Sequence, residues 1–238
     1  MGVFGVIVTW YRMSGIADAL AHSMLLGGAL SAWFGIDLTC VCFVLALLFA
    51  VLMKLLSHQS LEENLIIYLL MSASVGLAIA LQRENLGILI NGEVLLINQK
   101  DFVWLVIVSS CALAWLLYNR SNLILMAFNR EIAMLMGVNV TRLGLMKCLI
   151  LASVISVDVK VTGPLLMGTS LIMPAMIARL LSKSPTQMMV TSACVGGVVA
   201  MVGFVCSMAV DVPPCTAIAL LYCVGYVGVH VTKRLYAH

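Results

Sequence analysis

Long apolar runs separated by short polar connections recur along the whole chain and predict a bundle of helices. An apolar run of about 18 residues or more is long enough to cross the hydrocarbon core of a bilayer as a helix. A shorter apolar segment, residues 2–11, has the composition of a first span that has been truncated. We therefore expect an all-α membrane protein of eight to nine spans, forming a single domain over residues 1–238. The eight full spans are predicted at residues 17–34, 37–56, 64–82, 102–118, 144–161, 163–180, 188–208 and 215–232.

Composition supports this class and excludes a soluble domain. Hydrophobic residues make up 63% of the chain and charged residues only 10%, and the mean hydropathy is +1.14. Basic residues concentrate on the cytoplasmic side of membrane proteins. One orientation places ten of the thirteen basic residues inside, together with the C-terminus, and leaves Arg83, Lys100 and Lys160 outside. The inside set is Arg12, Lys54, Arg120, Arg130, Arg142, Lys147, Arg179, Lys183, Lys233 and Arg234.

Three polar connections follow from the same pattern. Residues 57–64 predict a short cytoplasmic turn, and residues 129–147 predict a longer cytoplasmic connection with a helical stretch closed by Gly137. Residues 82–101 are too polar at their ends to be a confident span, so we interpret them as an external or re-entrant loop.

Two ionisable residues interrupt the apolar run at 17–34. Asp18 and His22 are four residues apart, so both side chains project from one face of a helix. An aspartate in the middle of a bilayer costs about 2.5–3.5 kcal/mol even on lenient scales, which favours a functional role. A carboxylate oxygen and an imidazole nitrogen are both common ligands of zinc, manganese and ferrous iron. The alternative is a simple hydrogen bond between the two side chains inside the bundle.

A second polar feature is the segment PAMIARLLSKSPTQM, residues 174–188. The pattern predicts a helix broken at Pro174, a turn at the membrane face that carries Arg179 and Lys183, and a new helix starting after Pro185 and running through Gln187. By composition alone it is a basic cytoplasmic turn.

Sequence motifs of enzymes are absent. The chain contains no G-x-x-x-x-G-K-[ST] loop, no G-x-S-x-G and no H-E-x-x-H, so we expect neither ATP binding in the P-loop manner nor an integral-membrane enzyme. The eight cysteines form no C-x-x-C pair, and we interpret them as small apolar packing residues. Nucleic acid is not expected among its partners.

Five blocks of sequence, in order, resemble the metal-type ABC transporter permeases, which import zinc, manganese or iron in bacteria. The pattern D-x-L-A-H-S at residues 18–23 is most similar to that of the high-affinity zinc-uptake permeases. One departure is the segment 211–216, where the usual D-x-P-x-G-P reads Asp-Val-Pro-Pro-Cys-Thr, although Pro213 still ends the helix. The blocks are YRMSGIADALAHSMLLGGAL, LINGEVLLINQKDF, EIAMLMGVNVTRLGLMK, VKVTGPLLMGTSLIMPAMIARLLSKSPTQM and AVDVPPCTAIAL.

The resemblance implies a homodimer in the bacterial inner membrane, two cytoplasmic P-loop ATPase subunits and a periplasmic metal-binding protein. It implies that Asp18 and His22 bind the transported metal, most plausibly zinc, and that residues 174–188 dock on the ATPase. This chain would itself hold no cofactor, and ATP would be hydrolysed by the partner subunit.

Two alternatives stay open at this point. The first is a manganese or ferrous-iron permease of the same type. The second is an ion-coupled secondary carrier, in which Asp158 and Lys160 would form an ion relay. Secondary carriers often contain two related halves, and the sequence shows no such repeat.

Overall fold

The computed structural model describes residues 1–13, 15–36, 38–56, 63–81 and 99–235, and every regular element within these ranges is a helix. The all-α prediction is therefore confirmed for the described part of the chain. The helices are α1 (Gly2–Trp10), α2 (Gly15–Phe34), α3 (Leu38–Leu56), α4 (Glu63–Leu81), α5 (Gln99–Tyr118), α6 (Arg120–Phe128), α7 (Arg130–Leu135), α8 (Val140–Leu181), α9 (Pro185–Val210) and α10 (Pro214–Leu235).

The helix bounds follow the predicted apolar runs to within a few residues, and polar side chains mark several of the ends. Asn129 caps α7, because its side-chain oxygen accepts from the N–H groups of Glu131 and Ile132. Gly137 follows α7 with a φ of 81°, so the predicted helix stop at this glycine is confirmed. The predicted turn at 57–64 and loop at 82–101 lie largely outside the described residues.

By length and hydropathy, three helical segments among the described residues qualify as membrane spans, or up to four when α5 and α6, bent by 67°, count as one broken span. The three are Val140–Val159, Pro185–Val210 and Pro214–Leu235. Further apolar helices are shorter: Leu38–Met53, Leu65–Leu81 and Leu166–Leu181. The predicted total of eight to nine spans stays a prediction.

Helix α8 breaks at Gly163, where φ is 77° and ψ is 159°, a conformation that only glycine adopts readily. Its second arm, Leu166–Leu181, runs without interruption through Pro174. The prediction of a helix broken at Pro174 is therefore wrong. A proline removes one backbone donor, but apolar helices tolerate it when neighbouring groups satisfy the freed carbonyl.

Lys147 also lies elsewhere than predicted. The charge pattern placed it in the cytoplasmic connection, but α8 already begins at Val140, so Lys147 lies two turns inside the helix. Its side chain is only 4% exposed. The cap of this helix explains the early start, since the Asn139 side-chain oxygen accepts from the N–H of Arg142 at 3.2 Å.

The described helices form two compact units. The central unit, Gly15–Pro164, contains α2 packed against both α3 and α4. Small residues allow the close approach: a Cβ built on Gly27 would meet the Sγ atom of Cys42 at 2.8 Å. The core of this packing consists of fully buried apolar side chains, among them Ile16, Leu20, Ala46, Ile66 and Ile67.

The carboxy-terminal unit consists of Met1–Ser14 and Leu165–His238. Within it α9 packs against α1 on one side and α10 on the other. The Ser192 hydroxyl on α9 donates to the Gly2 carbonyl on α1 at 2.8 Å, and the Tyr222 hydroxyl on α10 donates to the Gly196 carbonyl at 3.4 Å. Helix α1 is thus an integral, mostly buried part of this unit.

Candidate functional site

Asp18 and His22 lie one turn apart in the first half of α2, on the side of the helix that its neighbours leave uncovered. Ile16, Ala17, Ala19, Leu20 and Ala21 are buried, whereas Asp18 is exposed and His22 half-buried. The apolar positions of α2 therefore fix the helix against α3 and α4, and the same packing presents the carboxylate and the imidazole outward.

A backbone hydrogen bond orients the imidazole of His22. Its Nδ1 atom lies 2.7 Å from the backbone carbonyl oxygen of Asp18. Because a carbonyl only accepts, this contact is a hydrogen bond in the tautomer that carries a proton on Nδ1, and that tautomer has its lone pair on Nε2. Metal-binding histidines are commonly held in this way, with one ring nitrogen donating to a carbonyl and the other free to coordinate.

The pair offers two potential ligand atoms, one oxygen and one nitrogen. Within the described residues, no group of three or more histidine, cysteine, aspartate or glutamate side chains is placed to hold a metal ion. None of the eight cysteines, all of which lie in described ranges, forms a disulfide. Structural zinc sites are closed by four protein ligands, whereas Asp18 and His22 together could provide two.

The segment predicted to be a cytoplasmic turn is a tight connection in the carboxy-terminal unit. Helix α8 ends at Leu181 and α9 begins at Pro185; we call residues 182–184 the α8–α9 turn. Arg179, in the last turn of α8, and Lys183, in the α8–α9 turn, are both exposed. Pro174 does not join them, because it is buried inside the second arm of α8.

Reciprocal capping makes the α8–α9 turn rigid. The Ser184 hydroxyl accepts from the N–H of Gln187 at 3.2 Å, and the Gln187 side-chain oxygen accepts from the N–H of Lys183 at 3.1 Å. Pro185 occupies the first turn of α9, where its missing N–H costs nothing. Pro185 and Gln187 thus hold the turn in shape, and the S-x-x-Q spacing at residues 184–187, which the prediction from the sequence did not use, is typical of a capping box.

A contact that the sequence gave no sign of lies at the same end of the unit. The Nζ atom of Lys233, in the last turn of α10, donates to the Leu180 carbonyl oxygen at 2.7 Å. The two residues are 53 positions apart, and neither belongs to a local motif.

Comparison with known proteins identifies the family. The sequence matches the ABC 3 transport family over residues 1–233. The chain belongs to the ABC 3 transport family. This confirms the resemblance to metal-type ABC transporter permeases.

Individual relatives agree with this assignment but differ in the metal they are named for. The chain is 27% identical to the high-affinity zinc uptake system membrane protein ZnuB of Buchnera aphidicola subsp. Schizaphis graminum, over 98% of this chain and 93% of that protein. It is 26% identical to the chelated iron transport system membrane protein YfeD of Yersinia pestis, over 97% of this chain and 82% of that protein.

The fold is shared with a solved structure, PsaBC from Streptococcus pneumoniae in complex with Fab. The TM-score is 0.81 at 22% identity, and the match covers 96% of this chain and 84% of that chain. At this identity the likeness concerns the fold, and the roles of Asp18, His22 and the α8–α9 turn rest on their own geometry.

Proposed function

We propose that this chain is the permease subunit of an ABC importer that carries a divalent metal ion, zinc, into the cytoplasm. The observation that carries the proposal is the orientation of His22, whose Nδ1 lies 2.7 Å from the Asp18 backbone carbonyl oxygen, on a helix where the two side chains lie one turn apart on the same face. The transported metal is the cargo of this pair, not a resident cofactor of the chain.

The chemistry of the pair suits transit better than storage. A pore must bind its ion strongly enough to replace water and weakly enough to release it. A site with two protein ligands keeps other coordination positions open, so incoming and outgoing ligands exchange without complete dehydration. In a homodimer, a second copy of Asp18 and His22 would bring the total to four side chains around a shared pathway.

Energy for transport would come from a separate subunit. The sequence contains no P-loop, so ATP hydrolysis is assigned to a cytoplasmic ATPase that docks on the α8–α9 turn. The exposed cations Arg179 and Lys183 would steer and orient an acidic partner, while the rigid turn would transmit its motion. A periplasmic metal-binding protein would deliver the ion on the opposite side.

Orientation follows from the basic residues. With the α8–α9 turn inside, Arg179, Lys183, Lys233 and Arg234 all lie at the cytoplasmic face, together with the C-terminus. The apolar helices would then give eight spans, plus α1 as a partial one, in the bacterial inner membrane. In this orientation Asp18 lies toward the cytoplasmic end of α2.

Zinc is preferred over manganese and iron because the D-x-L-A-H-S pattern and the relative named for zinc agree. An imidazole–carboxylate pair binds all three metals, and one relative is named for chelated iron. A manganese or ferrous-iron permease is therefore the second candidate.

The test is His22→Asn in a bacterial strain that depends on this chain for growth under zinc limitation. The Asn amide keeps a donor near the position of Nδ1, so the bond to the Asp18 carbonyl is preserved while the Nε2 ligand is lost. We expect growth to fail without added zinc, at unchanged membrane abundance. Asp18→Asn should behave in the same way.

His230→Asn is the matched control, because His230 is an exposed histidine of α10 that stacks on Tyr226. It should grow as the unmodified chain does. Normal growth of His22→Asn on limiting zinc would contradict the metal role of the pair. If a strain that lacks this chain is rescued by manganese or iron added to the medium, but not by added zinc, the second candidate is the correct one.

A further inference from the structure

The end of α8 is held by a residue from the last helix of the chain. The last four carbonyl groups of a helix have no partner within the helix, and Leu180 supplies one of them. The Lys233 ammonium donates to this carbonyl at 2.7 Å, which also places a positive charge at the negative end of the helix dipole.

This bond lies directly beside the α8–α9 turn. Leu180 is followed by Leu181, the last residue of α8, and then by the turn that carries Lys183. On the other side the turn is fixed to α9 through Ser184 and Gln187. The turn therefore has two anchors: the first turn of α9 and, through Lys233, the last turn of α10.

The second anchor connects the turn to a helix that packs on α9. Tyr222 of α10 bonds the Gly196 carbonyl of α9, and Ile218 packs against Gly203 with no room for a side chain between them. A displacement of the turn is thus shared by α9 and α10 for as long as the bond to Leu180 holds.

We propose that Lys233 is a positioning residue for energy coupling: it ties the α8–α9 turn to α10, so that motion imposed on the turn by the ATPase moves both helices. The proposal rests on the proposed function of the turn as the ATPase contact. Without the Lys233 bond the ATPase still docks and hydrolyses ATP, but less of the motion reaches α10.

The chain offers a closely matched control in Arg234. It carries the same charge at the same end of α10 and is exposed, but it does not make the bond to Leu180. Lys233→Met and Arg234→Met therefore remove equal charge from the cytoplasmic face, and only the first removes the anchor. Lys233→Arg keeps a charged donor that can reach a carbonyl.

The experiment uses the whole transporter, the chain with its ATPase and binding protein, in proteoliposomes. Zinc uptake and ATP hydrolysis are measured together, normalised to the recovered complex. We expect Lys233→Met to lower the zinc transported per ATP hydrolysed several-fold while ATPase co-purification is kept. Lys233→Arg should restore most of the ratio, and Arg234→Met should match the unmodified protein.

Two results would overturn the proposal. The first is that Lys233→Met and Arg234→Met transport the same amount of zinc per ATP hydrolysed. The second is that Lys233→Met and Lys233→Arg lower this amount equally. If Lys233→Met is not recovered in membranes, Lys233→Leu, which likewise has no hydrogen-bond donor, takes its place. The double variant Arg179→Met/Lys183→Met is measured in the same experiment. If this double variant keeps zinc uptake and ATPase co-purification, the turn is not the docking site of the ATPase. If the double variant loses both while Lys233→Met transports as much zinc per ATP as the unmodified protein, only the Lys233 proposal fails.

Discussion

Single glycines set how closely the helices of the carboxy-terminal unit approach one another. A Cβ atom added at Gly203 would lie 2.5 Å from the Cγ1 atom of Ile218 and 3.0 Å from its Cα. Gly197, on the same helix, has no atom within 4 Å of such a Cβ. Membrane helices associate largely through close approach of their backbones at small residues. Gly203 therefore contributes to the packing of α9 against α10, whereas Gly197 does not.

This difference predicts opposite effects of the same substitution. Gly203→Ala should destabilise the protein by about 1–3 kcal/mol, because the Ile218 backbone must move away. Gly197→Ala should be neutral or stabilising by up to about 1 kcal/mol, since alanine is the better helix former. Thermal unfolding in detergent measures both, and a lower Tm for Gly197→Ala than for Gly203→Ala would contradict the packing of α9 on α10.

The residues of the candidate site differ in how far the sequence predicted them. Asp18 and His22 were identified because charged groups are rare in an apolar run, and their spacing gave the shared face. The tautomer of His22 could not be predicted, since it depends on a 2.7 Å contact with a backbone carbonyl. Lys233 had no signal at all, because its partner is distant in the chain and is a backbone atom that every residue possesses.

The helices themselves were predictable because hydrophobic length determines them. The exception is α8, where Pro174 misled the prediction. Pro174 was expected to break the helix and does not, whereas the break occurs at Gly163, directly before Pro164. A Gly-Pro pair is a stronger breaker than a lone proline, since the glycine accepts a conformation that other residues avoid.

Helix α9 provides the sharpest test of orientation. Its 26 residues span about 39 Å at 1.5 Å per residue, long enough to cross the membrane, with Thr186 exposed at one end and Val212 exposed just beyond the other. On a cysteine-free background, Val212→Cys should react with a membrane-impermeant thiol reagent added to intact cells.

Thr186→Cys should react only after the membrane is permeabilised. Labelling of each position in permeabilised cells is the control for side-chain accessibility. Labelling of Thr186→Cys but not Val212→Cys in intact cells would reverse the proposed orientation, and with it the assignment of the α8–α9 turn to the cytoplasm.

For the molecule as a whole, membership in the ABC 3 transport family and the helical fold were predictable, because both follow from patterns spread over nearly the full chain. The division of the described helices into two compact units was not anticipated. The units are defined by which helices lie close together in space, and the hydropathy pattern does not specify which helices pack against each other. The expectation of a single domain stays a prediction.

A permease that depends on an ATPase and a secondary carrier differ in their source of energy. In the ABC importer proposed for this chain, the ion passes Asp18 and His22, and the work comes from ATP hydrolysed on another subunit. A secondary carrier would use an ion gradient and need no partner. The two therefore differ in whether the chain transports metal by itself.

Zinc uptake into proteoliposomes, with and without the ATPase, the binding protein and ATP, separates these two mechanisms. We predict that zinc accumulates only when all three are present with this chain, and that His22→Asn abolishes the accumulation while the complex still assembles. Zinc accumulation by the chain alone, driven by a proton or sodium gradient, would contradict the proposed function.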